Sequence, residues 1–231
     1  MPFPEDTNPQ FTPISTKEVV AEPVVIPNFA DLAIASISAA CKVLIECEPK
    51  LTEWDTRVGD GDCGITMLRG AKEVQKRLEE GRLPVSNPSR LFSDLADTVS
   101  ASMGGTSGIL FELMLRKMST SLVSKVVDGS SLSAAFIQGV QAGSFYGGAT
   151  KGCRTMMDAL LPAADAASTG SLGLMATAAS EGAESTTLMK EALAGRSSYL
   201  NTETLLNTPD PGAKAVEFIL RAISEAVSNT L

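Results

Sequence analysis

Asp210-Pro-Gly-Ala-Lys-Ala-Val-Glu-Phe-Ile-Leu-Arg-Ala-Ile-Ser-Glu-Ala-Val227 carries the clearest periodicity in the chain. Ala215, Phe218, Ile219, Ala222, Ile223, Ala226 and Val227 recur at three- and four-residue intervals, which lays apolar side chains along one face of an α-helix. Asp210-Pro211-Gly212 ahead of them reads as a helix lead-in, with Asp as cap and Pro in the first turn. The same period appears after Asn28, where Ile34, Ile37, Cys41, Leu44 and Ile45 share a face. Between these segments, helices are expected over about 66–81, 89–101, 106–124, 131–145, 153–167 and 171–194. Breaks fall at Gly81 to Pro88, Gly104-Gly105, Gly129, Gly147-Gly148, Gly170 and Gly195 through Pro211. Period-two alternation is nearly absent. The pattern predicts an all-α fold of about eight helices, packed as one unit over residues 29–231.

Composition narrows the function. The 231 residues are 44% hydrophobic, enough for a sizeable core, and carry a net charge of -8. That balance argues against nucleic acid or an anionic membrane as partner. No apolar run approaches the roughly 20 residues that span a bilayer, and no signal-peptide pattern opens the chain. Cys41, Cys47, Cys63 and Cys153 form no CxxC pair, so reduced thiols in a cytoplasmic protein are expected. Six of the twelve prolines (Pro2, Pro4, Pro9, Pro13, Pro23, Pro27) fall in residues 1–28. Such a segment resists helix formation and is expected to be an extended linker or arm. Val19-Val20 and Val24-Val25-Ile26 could dock on a neighbour, and a linker here implies a domain preceding it in the parent protein. Histidine is absent. Ser-His-Asp and Cys-His mechanisms are thereby excluded for this chain alone, and a zinc site is disfavoured.

The densest chemistry lies in Asp55-Thr-Arg-Val-Gly-Asp60-Gly-Asp62-Cys-Gly64. Three carboxylates this close repel one another unless a multivalent cation sits among them, and hard oxygen donors suit Mg2+ or Ca2+. Gly59, Gly61 and Gly64 let the backbone turn tightly against a ligand. A plain surface turn is the competing reading, because Asp and Gly are common turn formers. An EF-hand fails: counted from Asp60, the fifth position is Gly64 and the twelfth Ala71, where a bidentate Glu belongs.

Two further turns have anion-binding character. Met103-Gly-Gly-Thr-Ser-Gly108 sets glycines and hydroxyls at a helix start, where free N–H groups and the helix dipole favour an anion. It is not a Walker loop, lacking the Lys in register, and an ordinary N-cap reads equally well. Gly147-Gly-Ala-Thr-Lys-Gly-Cys-Arg-Thr155 adds Lys151 and Arg154, which either neutralise phosphate or are solvated surface charges. Met67, Met114, Met118, Met156 and Met157 at helical positions read as core filler. Trp54 reads as core, with shielding of the acidic turn as the other role. Gathered at one end of a helical bundle, these loops would hold a Mg2+-nucleotide for phosphoryl transfer by positioning and electrostatics.

With these residues in view, the chain resembles the nucleotide-binding domain of ATP-dependent dihydroxyacetone (glycerone) kinases. The segments that carry the likeness are Leu51–Gly64, Met103–Gly108, Tyr146–Ala164, and Gly195–Tyr199 followed by Asp210–Ala213. The resemblance implies an eight-helix antiparallel up-and-down barrel with nucleotide and two Mg2+ ions at one rim. It implies that Asp55, Asp60 and Asp62 ligate the metals, and that Cys63, Gly64, Ile65 and Thr66 lie along the phosphates with Thr106 and Ser107. Gly147 and Met156 would line the nucleotide, Arg196 would contact it, and Asp210, Pro211 and Gly212 would close the site. A lipid in the barrel interior belongs to the same set of implications. Cys63 stands where members that keep ADP as a bound cofactor commonly carry His, and this favours the ATP-exchanging mode. Residues 201–208 depart from the family pattern by lacking glycines, which bears on the placement of Arg196.

The activity so implied is transfer of the ATP γ-phosphate to dihydroxyacetone or glyceraldehyde. The substrate would sit on a separate or fused domain that supplies the histidine missing here. Competing expectations are a non-catalytic nucleotide- or lipid-binding regulatory subunit, and cyclising cleavage of FAD to cyclic FMN and AMP at the same metal site. A helical scaffold without metal is the blandest.

Overall fold

A computed structural model describes residues 25–123 and 126–231. The expected arm at 1–28 therefore falls outside the described residues except for its last four. Of these, Val25 forms an isolated parallel bridge with Val127, and the Ile26 amide donates to the Val127 carbonyl at 3.0 Å. Both side chains pack against the helical body.

Eight substantial helices follow: α1 Phe29–Val58, α2 Cys63–Glu79, α3 Pro88–Ser102, α4 Gly105–Ser121, α5 Gly129–Gly147, α6 Met157–Ala167, α7 Leu172–Ser185 and α9 Pro211–Thr230, with a one-turn α8 at Thr202–Leu205. No named strand occurs among the described residues. Side-chain caps set several of the starts. The carboxylate of Asp128 accepts from the Ser131 amide in a capping box, Asn87 accepts from Arg90 ahead of Pro88, Ser171 caps α7, and Asp210 accepts from Ala213 at 2.7 Å. The Asp-Pro-Gly lead-in of α9 thus forms as its sequence dictates.

Each of α1 to α6 packs on the next, and α9 closes the ring between α7 and α1. The result is the all-α fold expected from the helical periods, arranged as the up-and-down barrel that the resemblance implies. Because successive helices reverse direction, one rim collects the C-terminal ends of α1, α3, α5 and α7 with the N-terminal ends of α2, α4, α6 and α9. Leu51, Met67, Met157 and Leu205 are no more than 1% exposed. Each such side chain contributes about 1.5–3 kcal/mol by leaving water. Met67, Met114, Met156 and Met157 are buried as expected, whereas Met118 is half-buried. Trp54 is half-buried and stacks on Phe218 with ring centroids 6.4 Å apart. The α6–α7 seam is closest: a Cβ on Gly182 would overlap the Asp158 carbonyl oxygen and lie 3.2 Å from the Ala159 Cα. Alanines 159, 163, 179 and 183, all 0% exposed, fill the rest of that seam.

Two boundaries and one buried face differ from the periodic reading. α6 starts at Met157, not near 153, because the buried Asp158 carboxylate accepts the amides of Gly152 and Thr155 and holds 152–155 as a turn. α7 ends at Ser185, not near 194. There the Thr186 hydroxyl donates to the Ala183 carbonyl and accepts the Asp210 amide, so the chain leaves the helix. On α9, Pro211, Ala213, Ala215, Val216, Glu217 and Leu220 are the buried positions, while Phe218, Ile219, Ala222 and Ile223 are half-buried. A helix wedged between two neighbours is covered on two flanks, and the Glu217 carboxylate is admitted by Lys214, whose Nζ lies 2.6 Å away.

Candidate functional site

Asp55 sits in the last turn of α1 and is 6% exposed. Its Oδ2 accepts the backbone N–H groups of Asp62 and Cys63 at 2.8 and 2.9 Å, which ties the end of α1 to the start of α2. Gly59 has to be glycine, since a Cβ there would overlap Asp55 Oδ1. Gly61 turns the chain with φ +80°. Asp60 and Asp62 are exposed, and one carboxylate oxygen from each of Asp55, Asp60 and Asp62 lies within 4.8 Å of the others. Burial first, then the charges of Asp60 and Asp55, push the Asp62 carboxyl above its ordinary range. Like charges held this close favour either a proton or a cation. One carboxylate fixed by backbone amides and two facing solvent form a hard-oxygen set that fits Mg2+.

Four helix N-termini lie on the rim that carries this turn, so the positive ends of four helix dipoles are available to an anion there. Cys63 opens α2 half-buried, Gly64 and Thr66 are buried, and Ile65 is 48% exposed. A Cβ on Gly64 would overlap Thr52 Oγ1 and the Glu48 carbonyl, so this glycine sets how near α2 approaches α1. The Cys63 thiol is pushed up by burial and by the carboxylates of Asp210, Asp55 and Asp62, which makes it a poor nucleophile. Gly104 and Gly105 take φ of +72° and +63° at the start of α4, placing Thr106 exposed and Ser107 half-buried in the first turn. Arg69 of α2 donates to the Met103 carbonyl at 2.7 Å and anchors that turn.

Gly147 ends α5, close to Leu110. Met156 is buried beside Gly212, where a Cβ would stand 3.4 Å from that of Met156. Asp210 and Pro211 are buried at the start of α9. The Asp210 carboxyl is pushed up to about 7, chiefly by burial, against the bond from Ala213 and the charge of Arg154. Arg196 is exposed, and its Nε lies 3.0 Å from Asp60 Oδ2. The structure therefore joins Asp55, Asp62 and Cys63 by hydrogen bonds, Arg196 to Asp60 by an ion pair, and Met156 to Gly212 by packing. Thr106, Ser107 and Gly147 join them by their place on the rim.

Lys151 is exposed, whereas Arg154 is 1% exposed and is thus neither a free phosphate ligand nor a solvated charge. Its partners are Ser197 Oγ and the carbonyls of Leu205 and Thr208. Charge pattern alone does not separate it from Lys151. The sequence signal that does is Asp158 four residues on, which fixes the turn.

The chain belongs to the DAK2 domain family, whose model matches residues 57–225. It is 35% identical over 202 residues to a dihydroxyacetone kinase of Citrobacter freundii, covering 87% of this chain and 36% of that protein. Over 201 residues it is 37% identical to the Homo sapiens triokinase/FMN cyclase, covering 84% of this chain and 34% of the relative. The crystal structure of the C. freundii kinase in its native form superposes with a TM-score of 0.73 at 29% identity, covering 96% of this chain and 38% of that one. The same kinase in complex with AMP-PNP and Mg2+ superposes at 0.70 and 28% identity, with the same coverage. The chain thus spans little more than a third of the length of these relatives.

Proposed function

We propose that this chain is the ATP-binding domain of a cytoplasmic dihydroxyacetone kinase, passing the γ-phosphate of ATP to dihydroxyacetone or glyceraldehyde. The observation that carries the reading is the Asp55–Asp60–Asp62 cluster, with oxygens within 4.8 Å, set among helix N-termini. A relative crystallised with AMP-PNP and Mg2+ supports it. Asp55, Asp60 and Asp62 would hold two Mg2+ ions. When bound, the ions supply neutralisation of the phosphate charge, the main electrostatic need of phosphoryl transfer.

The chain's own residues do the rest. Cys63, Gly64, Ile65 and Thr66 lie along the phosphates at the positive end of α2. Thr106 and Ser107 donate to the γ-phosphate, Gly147 and Met156 line the nucleotide, Arg196 contacts it, and Asp210, Pro211 and Gly212 close the site. The acceptor hydroxyl attacks in line, the bond to the β-phosphate oxygen breaks, and ADP leaves. A base on the dihydroxyacetone-binding domain takes the hydroxyl proton. That domain is fused or separate, and the proline content of residues 1–28 supports their role as the linking arm.

The decisive assay mixes this chain with a histidine-bearing dihydroxyacetone-binding domain, ATP, Mg2+ and dihydroxyacetone. ADP formation that requires both proteins and is lost in Asp62→Ala supports the reading. Mg2+-dependent ATP binding without stimulated transfer would instead mark a regulatory subunit. The triokinase/FMN cyclase relatives favour one second reading, cleavage of FAD to cyclic FMN and AMP at the same site. It predicts AMP release from FAD under the same metal conditions and with the same Asp62→Ala loss.

A further inference from the structure

Arg154 is the largest fully buried side chain among the described residues, and it takes φ +60°, a left-handed conformation rare for residues other than glycine. A charged group is buried at such cost only where its partners are well arranged. Its Nη1 donates to Ser197 Oγ at 3.2 Å, and its Nη2 donates to the carbonyls of Leu205 at 3.2 Å and Thr208 at 2.7 Å. Burial lowers its proton affinity, and the nearby Asp210 and Asp158 carboxylates oppose that. The Asp158 carboxylate holds the turn that presents Arg154 by accepting the amides of Gly152 and Thr155.

The partners of Arg154 are all on one segment, which runs from Gly195 to Asp210 across the rim. Ser197 follows Arg196, the residue paired with Asp60. The Ser197 hydroxyl passes the contact on by donating to the Val58 carbonyl, two residues before Asp60. At the other end, Thr208 stands two residues before Asp210, which caps α9 beside Met156. One buried guanidinium therefore fastens both ends of the segment, and through Ser197 it reaches the acidic turn itself.

We propose that Arg154 is a positioning residue: acting through Ser197, it sets Arg196 against the acidic turn and fixes the segment that leads into Asp210. It touches neither nucleotide nor metal, and its effect on the ligand passes through Arg196. This inference rests on the nucleotide-binding reading for its ligand. The alternative is that Arg154 and Ser197 serve stability alone.

A double-mutant cycle on the full chain tests it, with Mg2+·ATP affinity measured by calorimetry for wild type, Ser197→Ala, Arg196→Ala and the pair. Ser197→Ala leaves Arg154 its two carbonyl partners and is the milder change, since Arg154→Met leaves buried acceptors unpaired and risks misfolding. Loss of the relay weakens binding about 5-fold, the typical value of one hydrogen bond. In the Arg196→Ala background, Ser197→Ala then has no further effect on affinity, because the group it positions is gone. Full additivity of the two losses, or wild-type affinity in Ser197→Ala, overturns the proposal.

Hydrogen exchange without ligand provides the second measurement. Amides in 195–208 exchange faster in Ser197→Ala while those of α1, α6 and α9 keep their protection. Unchanged exchange in that segment refutes the clasp even if nucleotide binds. A wild-type chain that binds no Mg2+·ATP removes the nucleotide reading, and the role of Arg154 in ligand binding falls with it, while the exchange result reports separately on the clasp.

Discussion

Replacing Asp55 separates the structural from the ligand-binding role of the acidic turn. Oδ2 of Asp55 takes both amide bonds from the turn, those of Asp62 and Cys63, while Oδ1 faces Gly59. Asp55→Ala leaves two amides without a partner next to a residue that is 6% exposed. Hydrogen bonds to a charged acceptor are worth about 1.5–3 kcal/mol each, but the half-buried Cys63 end recovers water, so a net loss of about 2–4 kcal/mol follows. Asp55→Asn keeps one carbonyl oxygen at the same place and retains both bonds in neutral form. It also relieves repulsion with Asp60 and Asp62, so its cost stays below about 1 kcal/mol. Urea unfolding with EDTA present, followed by far-UV circular dichroism, measures both without any metal contribution. With a slope near 2–3 kcal/mol/M for a domain of this size, the midpoint falls by about 1 M in Asp55→Ala and by about 0.5 M or less in Asp55→Asn. Equal midpoints for Asp55→Ala and wild type would refute the claim that this carboxylate staples α1 to α2.

Other expectations follow from particular contacts. Gly182→Ala forces α6 and α7 apart, because its methyl group would overlap the Asp158 carbonyl, 3.0 Å from the Asp158 carbonyl carbon. Overpacking of about 1–3 kcal/mol outweighs the gain of about 1 kcal/mol in helix propensity, and thermal unfolding shows a lower midpoint. Asp210, raised to about 7 by burial, binds its proton more tightly in the folded than in the unfolded chain. Its contribution to stability is therefore complete below the ordinary Asp pKa and is lost as pH rises through about 7. Unfolding free energies measured from pH 4 to 8 show this decline in wild type and a flatter profile in Asp210→Asn, which keeps the cap. Burial raises the thiols of Cys41 to about 12 and Cys47 to about 11, and Cys63 is raised as well. Iodoacetamide at pH 8, read by mass spectrometry, accordingly labels these three slowly in the native protein and rapidly after unfolding.

Much of this was legible in the chain. The helical periods and glycine breaks locate eight helices, because amphipathic spacing reports directly on a face that must be buried. Three acids among glycines announce the acidic turn, since such a density of like charge has few other uses. The ends of α6 and α7 were not legible, because Asp158 and Thr186 redirect the backbone through contacts with residues distant in sequence or in the turn they cap. Arg154 escaped for the same reason: its partners at 197, 205 and 208 lie 43 to 54 residues away. The half-buried flanks of α9 reflect a ring of helices in which no single stripe faces the core. The departure at 201–208 has a local answer as well. Asn201 caps the one-turn helix α8, and Leu205, fully buried, anchors that segment in place of a glycine turn.

The central claim is that Asp55, Asp60 and Asp62 hold metal for a nucleotide at the helical rim. Isothermal titration of the chain with ATP, in Mg2+ and again in EDTA, tests it most directly when run beside Asp60→Ala. Asp60 is exposed and, among the described residues, its side chain pairs only with Arg196, so the variant keeps wild-type helicity. The account predicts binding in Mg2+ that disappears both in EDTA and in Asp60→Ala. ATP binding that survives chelation and the substitution would contradict it.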